Sequence, residues 1–136
     1  MTPSGILESA VYASDLDAAE AFYRGVLGLE RIARVEGRHV FFRCGEGVLL
    51  VFNPTETVKP PAADARLPVP PHGTQGRGHL CFRAEAGEIE RWKAHLAAHE
   101  VPIEAEFEWP QGGRSIYFRD PAGNSLEFAE PRIWGL

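Results

Sequence analysis

Apolar positions along this chain switch between a period of two and a period near 3.6, and the switches mark out its elements. Residues 6–13 alternate loosely and predict a strand. Ser14-Asp15 then offers a helix N-cap, with Asp17 and Glu20 complementing the helix dipole in the first turns. Leu16, Ala19, Phe22, Tyr23, Val26 and Leu27 recur at helical spacing, and Gly28 follows as a stop signal. Residues 29–35, 39–44 and 48–52 predict three more strands, punctuated by Gly37-Arg38 and Gly45-Glu46-Gly47 as hairpin turns.

The same order returns in the second half. Residues 79–83 predict a strand, and residues 87–99 a helix with Ile89, Trp92 and Leu96 on one face and Pro102 beyond its end. Residues 103–109, 115–119 and 125–129 predict strands, with Asp120-Pro121-Ala122-Gly123-Asn124 as the turn between the last two. Between the halves lie Pro54, Pro60, Pro61, Pro68, Pro70 and Pro71, a density that predicts a linker without regular structure, one that also runs near the site. The organisation expected is therefore α+β in a single domain: module one over 5–53, a proline-rich linker over 54–76, module two over 77–130 and a tail over 131–136. Each module reads βαβββ.

The two copies align in sequence as well as in pattern. Arg38-His39-Val40-Phe41-Phe42-Arg43 lies without a gap on Arg114-Ser115-Ile116-Tyr117-Phe118-Arg119. In the same register Leu50-Val51-Phe52 falls on Leu126-Glu127-Phe128, and Ile6-Leu7-Glu8 matches Arg77-Gly78-His79. Glu8, Val51, His79 and Glu127 thus occupy corresponding strand positions. Alternation puts Glu8 with Ala10 and Tyr12, His79 with Cys81, and Glu127 with Ser125 and Ala129, while bulky apolar residues take the opposite faces of the last two strands. A single strand glutamate is ordinarily solvated and a single histidine ordinarily packs. Three such groups at repeat-equivalent places in apolar strands point instead to a shared cation, which offsets the several-kcal/mol cost of burying unpaired carboxylates.

Glu8, His79 and Glu127 form a donor set of one imidazole and two carboxylates, suited to Mn, Fe, Ni, Zn or Co as a divalent ion. Val51 cannot ligate, so three protein ligands would leave positions open for water or substrate, the arrangement of catalytic sites. The metal would act as a Lewis acid toward two substrate oxygens.

Composition narrows the partners. The chain of 136 residues carries a net charge of −5, and its basic residues form no run of three, which argues against nucleic acid. No apolar stretch approaches the roughly 20 residues needed to cross a bilayer, and the N-terminus lacks a signal-peptide pattern. Cys44 and Cys81 lie in apolar runs and read as reduced core residues, from which a cytoplasmic location is expected.

Ser14-Asp15-Leu16 leading to Phe22-Tyr23-Arg24-Gly25-Val26-Leu27-Gly28-Leu29, then Gly78-His79-Leu80-Cys81-Phe82, and finally residues 117–127 from Tyr117 to Glu127, resemble the vicinal oxygen chelate superfamily. That superfamily includes glyoxalase I, methylmalonyl-CoA epimerase, fosfomycin-resistance thiol transferases, extradiol dioxygenases and bleomycin-binding proteins. The resemblance covers nearly the whole chain. It implies two modules forming a curved mixed sheet around a central metal-binding cavity, ligands on the first and last strand of each module, and a homodimer.

Further residues are expected at the cavity. Ser115, Tyr117 and Arg119 share one strand face, and His39, Phe41 and Arg43 the equivalent one. Tyr117 is the candidate acid or hydrogen-bond donor and Glu127 the candidate base, making these two the predicted catalytic pair. Phe41, Trp109 and Arg119 are the predicted substrate-binding residues. His72 reads as a surface loop residue that could reach the site as a base, and Trp134 as an anchor on the domain or across a dimer contact. The function expected is a metal-dependent lyase, isomerase or thiol transferase acting on a small molecule through two adjacent oxygens. The alternative is a non-catalytic small-molecule binder of the bleomycin-resistance kind, which would lack the ligand set.

Overall fold

A computed structural model describes residues 1–136, and the chain divides into two compact units, residues 1–76 and residues 77–136. The architecture is α+β: each unit is a βαβββ module with a mixed four-stranded sheet.

In the first unit, β1 (Glu8–Tyr12), β2 (Glu30–Val35), β3 (His39–Cys44) and β4 (Gly47–Phe52) assemble in the order β1-β4-β3-β2, with β1 parallel to β4 and the rest antiparallel. Helix α1 (Leu16–Gly25) is capped by Asp15, whose carboxylate accepts from the Ala18 N–H at 2.9 Å. It covers one sheet face, where Val11, Val40, Phe42, Leu49 and Val51 are 0–2% exposed. Glu20, on the rim of α1, takes Arg34 at 2.7 Å, Arg31 at 2.9 Å and Arg24 at 3.1 Å, and so pins the helix to β2. The Arg34 guanidinium holds the Glu20 carboxyl below its ordinary value despite burial.

The linker is more ordered than its prolines predict. Asn53 caps a short helix α2 (Pro54–Thr57), in which Pro54 takes the first helical position, where its missing N–H costs nothing. The remainder has no regular element until β5.

In the second unit, β5 (His79–Arg83), β6 (Ala105–Glu108), β7 (Arg114–Arg119) and β8 (Ser125–Ala129) take the equivalent order β5-β8-β7-β6. Helix α3 (Glu88–Ala98) covers Phe82, Ile116, Phe118, Leu126 and Phe128, with Trp92 stacked on Phe128 at 4.2 Å. The helix ends before Pro102, because Glu100 already adopts a left-handed φ of 58°. A 3-10 turn, Pro131–Trp134, closes the chain.

One expectation fails here and another fails in part. Trp134 is 78% exposed and does not anchor on its own domain, where the neighbouring Ile133 packs instead. Neither cysteine belongs to the core, since Cys44 is half-buried and Cys81 exposed, and both are free thiols.

The strand registers lay the uncovered face of each sheet out as rows. In the second unit the middle row reads Cys81, Glu127, Tyr117, Ala105; Arg83, Ala129, Ser115 and Phe107 form one flanking row, and His79, Ser125 and Arg119 the other. In the first unit the middle row reads Ala10, Leu50, Phe41, Ala33, flanked by Tyr12, Phe52, His39 and Val35 and by Glu8, Val48 and Arg43. Leu50, not Val51, therefore stands where Glu127 stands. Four residues separate the paired Arg43 and Val48, but five separate the paired Arg119 and Ser125. The gap-free alignment slips by one residue across that turn, and a one-residue slip moves a side chain to the other face. Val51 pairs with Val11 on the helix-covered side and is 0% exposed.

Candidate functional site

The predicted residues of the second unit come together on its uncovered face. Glu127 is buried at 5% exposure in the middle of the sheet, flanked by Cys81 on β5 and Tyr117 on β7. His79, one row along, turns its Nε2 to 3.4 Å from Glu127 Oε2. What holds His79 there is the turn between β7 and β8. Asp120 accepts from the Asn124 backbone and side-chain nitrogens, both at 2.8 Å. Asn124 Oδ1 in turn accepts from the Gly78 N–H at 2.8 Å, and the Ser125 N–H donates to the Gly78 carbonyl at 2.9 Å. A Cβ at Gly78 would lie 3.1 Å from Asn124 Oδ1, a contact relieved only by a small shift of the Asn124 side chain that bonds Gly78.

The hydrogen bonds decide the tautomer of His79. Its Nδ1 lies 3.1 Å from the Ser125 carbonyl oxygen, which can only accept, so Nδ1 carries a proton. In the neutral ring Nε2 then presents a lone pair toward Glu127. Glu127 Oε1 is buried without a hydrogen-bond partner. Two electron-rich groups facing each other, one with an orphaned buried oxygen, are stable only with a proton or a cation between them.

Burial and the neighbouring Glu127 carboxylate push the Tyr117 hydroxyl up to about 12, so it stays protonated at neutral pH. The Cys81 thiol, on a residue exposed at the sheet face, is pushed up to about 12 by partial desolvation of its sulfur and by the Glu127 carboxylate, and stays a thiol. Phe107 stacks on Tyr117 at 5.6 Å and meets Trp109 edge-on at 5.1 Å, while Trp109 Nε1 donates to Ser115 Oγ at 2.8 Å. Arg119 shares the face, but its charge is already answered by Glu104, whose two oxygens lie at 2.6 and 3.0 Å. Sequence reasoning passed over Cys81 and Phe107 as site residues, although alternation from His79 and Trp109 places both on this face.

Two predicted residues belong to the first unit. Glu8 is exposed on β1, opposite Val48, and holds the position that His79 holds in the second unit. Phe41 is half-buried and stacked on His39 at 4.1 Å. Open clefts of about 610 Å³ beside Glu20 and Arg31 and about 400 Å³ beside Lys59 and Pro60 also lie in this unit and contain none of the predicted site residues.

The sequence profile of the Glyoxalase/Bleomycin resistance protein/Dioxygenase superfamily matches residues 5–128. The chain belongs to this superfamily. Among solved structures, the glyoxalase-superfamily chain is similar to a lactoylglutathione lyase from Agrobacterium tumefaciens, at 50% identity over 100% of both chains and a TM-score of 0.93. An integron cassette protein from the mobile metagenome of a Halifax Harbour sewage outfall shares the fold at 24% identity, covering 94% of this chain and 99% of its own, with a TM-score of 0.74. A glyoxalase/bleomycin resistance protein/dioxygenase from Nocardioides shares it at 20% identity, 96% and 85% coverage and a TM-score of 0.72. Comparison with curated proteins gave no match. No helix is long and apolar enough to cross a membrane.

A divalent metal, which superfamily membership implies, fits what the second unit offers. Its candidate ligands are His79 Nε2, with the other ring nitrogen donating to a backbone carbonyl, and Glu127 with its orphaned oxygen. Two donors do not complete a metal site, and neither unit by itself gathers three His, Cys, Asp or Glu side chains as a ligand set.

Proposed function

We propose that this chain is a divalent-metal-dependent enzyme of the lyase or isomerase type, moving a proton on a small substrate that presents two adjacent oxygens. The Agrobacterium protein's name directs the first choice of substrate to lactoylglutathione, an α-hydroxyacyl thioester. The observation that carries the reading is Glu127: a buried carboxylate with one oxygen unpartnered and a histidine lone pair 3.4 Å from the other.

His79 and Glu127 would hold the cation; the third ligand expected, Glu8, belongs to the first unit. The ion would supply Lewis-acid stabilisation to charge developing on the substrate oxygens. Glu127 takes and returns the substrate proton through Oε1, the oxygen left without a hydrogen-bond partner. Tyr117, retaining its own proton, donates a hydrogen bond to a substrate oxygen. Trp109 and Phe107 exclude water beside the reacting carbons. Arg119 contributes only when Glu104 releases it.

Elemental analysis of purified protein, alongside His79→Ala and Glu127→Gln, tests the reading. Wild type should retain about one divalent ion per chain after dialysis, and both variants should lose at least nine-tenths of it together with turnover of lactoylglutathione. Equal metal content in all three proteins, or none in wild type after loading with Zn, Mn, Ni, Fe or Co, overturns it.

A further inference from the structure

The helix-covered side of the second unit carries a pair of imidazoles that the site at Glu127 does not use. His95 and His99 stand four residues apart at the C-terminal end of α3, a spacing that puts two side chains on one helix face. Their ring centroids lie 4.3 Å apart with the planes tilted by 41°, and both residues are exposed. Trp92 meets His95 edge-on at 5.5 Å while its other side stacks inward on Phe128. The sheet separates this pair from Glu127, which faces the uncovered side.

The chain fixes the later member of the pair. His99 is the C-cap of α3, and its N–H donates to the His95 carbonyl at 3.2 Å and the Leu96 carbonyl at 3.1 Å. Glu100 then takes the left-handed φ of 58° that ends the helix, and the Val101 N–H closes the turn on the Leu96 carbonyl at 2.9 Å. His99 Nδ1 lies 2.9 Å from the His95 carbonyl oxygen, which can only accept, so Nδ1 carries the proton and the neutral ring keeps its lone pair on Nε2. A backbone carbonyl bonded to one imidazole nitrogen is the usual support for a metal at the other. His95, when neutral, likewise has one ring nitrogen with a lone pair. The end of a helix that carries its last carbonyls favours a cation, and Arg91, one turn before His95, is already paired with Glu88 at 3.2 Å.

We propose that His95 and His99 chelate one divalent transition ion, Ni(II), Cu(II) or Zn(II), at the end of α3. Two histidines at i and i+4 on one helix face are a recurrent chelating pair for such ions. Their rings are already adjacent, so only side-chain rotation separates this arrangement from a shared ion. Water fills the remaining positions, and the ion exchanges readily, leaving on dialysis where a fuller ligand set retains its metal. Imidazole donors favour these ions over Mg(II) and Ca(II), which prefer oxygen. The site uses residues of α3 alone and stands whether or not Glu127 binds a metal.

Titration of the metal-stripped full chain with Ni(II) alone, followed by tryptophan fluorescence, tests the proposal. It is run in Glu127→Gln, where the other candidate centre is disabled, with His79→Ala as a second such background. An open-shell ion on His95 quenches Trp92, so emission should fall to a plateau with one Ni(II) bound per chain. His95→Gln and His99→Gln, added singly, should each weaken binding about tenfold or more while thermal melts stay cooperative. Mg(II) in about hundredfold excess should not restore the emission. Undiminished Ni(II) affinity in either histidine variant overturns the proposal. So does displacement of Ni(II) by Mg(II), or the absence of saturable quenching in both backgrounds.

Discussion

In the middle row of the uncovered face, the first unit places Ala10, Leu50 and Phe41 where the second places Cys81, Glu127 and Tyr117. The backbone lattice is shared, and the chemistry laid on it has diverged. One copy buries a carboxylate and surrounds it with groups that keep their protons. The other carries no titratable group in that row and has rings in the next one, Tyr12, Phe52 and His39. The turn before the last strand accompanies the change. A tight two-residue turn, Gly45-Glu46, serves the first copy, and an Asp120–Asn124 hydrogen-bonded loop serves the second. Both units tie the residue before their first strand to the last strand, Leu7 through the Val48 N–H at 3.1 Å and Gly78 through the Ser125 N–H at 2.9 Å, and the longer loop adds the Asn124 side chain as a second hold on Gly78, beside His79. A turn in this fold thus acts as part of the site.

The harshest test of the comparison inserts a carboxylate at the two rival positions. Val51→Glu buries an unpaired charge under α1 and should cost about 5 kcal/mol, enough to abolish cooperative urea unfolding in a domain of ordinary stability. Leu50→Glu, buried at 8% exposure but on the face away from the helix, where the second unit carries Glu127, should cost less. Equal losses would mean that the one-residue slip is wrong.

The next effect concerns what fastens helix to sheet in the first unit alone. Glu20→Ala removes the carboxylate that Arg34, Arg31 and Arg24 share, leaving Arg34 paired only with Asp17 at 2.6 Å and Glu36 at 3.0 Å, and should lower stability by about 2 kcal/mol. The same contact predicts a pH dependence. Because the folded-state pKa of Glu20 lies below its ordinary 4.5, the unfolded chain binds more protons. The stabilisation is therefore full above about pH 4.5 and is lost as the pH falls through the lower folded value. Urea midpoints measured from pH 6 down to pH 3 should drop more steeply for wild type than for Glu20→Ala; parallel curves would refute the assignment.

Smaller changes sharpen the chemistry of the second unit. Tyr117→Phe should leave metal content intact and reduce kcat for lactoylglutathione about tenfold, the worth of one well-placed hydrogen bond. A rise in KM at constant kcat would make Tyr117 a binding residue only. Ser115→Ala removes the acceptor for Trp109 Nε1 and should cost about 1 kcal/mol in thermal or urea melts, with a red shift in tryptophan emission as the indole turns to water. An unshifted spectrum would show that the indole needs no such partner.

Much of this molecule was legible in its residue pattern. Period and punctuation determine both βαβββ orders, Asp15 announces the helix it caps, and alternation puts Glu127, Tyr117, Cys81 and His79 on one face, because these depend on neighbours a few residues apart. What the pattern misjudged depends on long-range partners. Pairing of β3 with β4, which no gap-free alignment reads, assigned Leu50 rather than Val51 to the fourth position. Contacts with Tyr12, Phe52 and Thr57 turned His72 from a loop residue into a member of the first unit's face. The orphaned oxygen of Glu127 likewise exists only in three dimensions: local sequence places a side chain on a face, and the folded neighbours decide whether its polar atoms find partners.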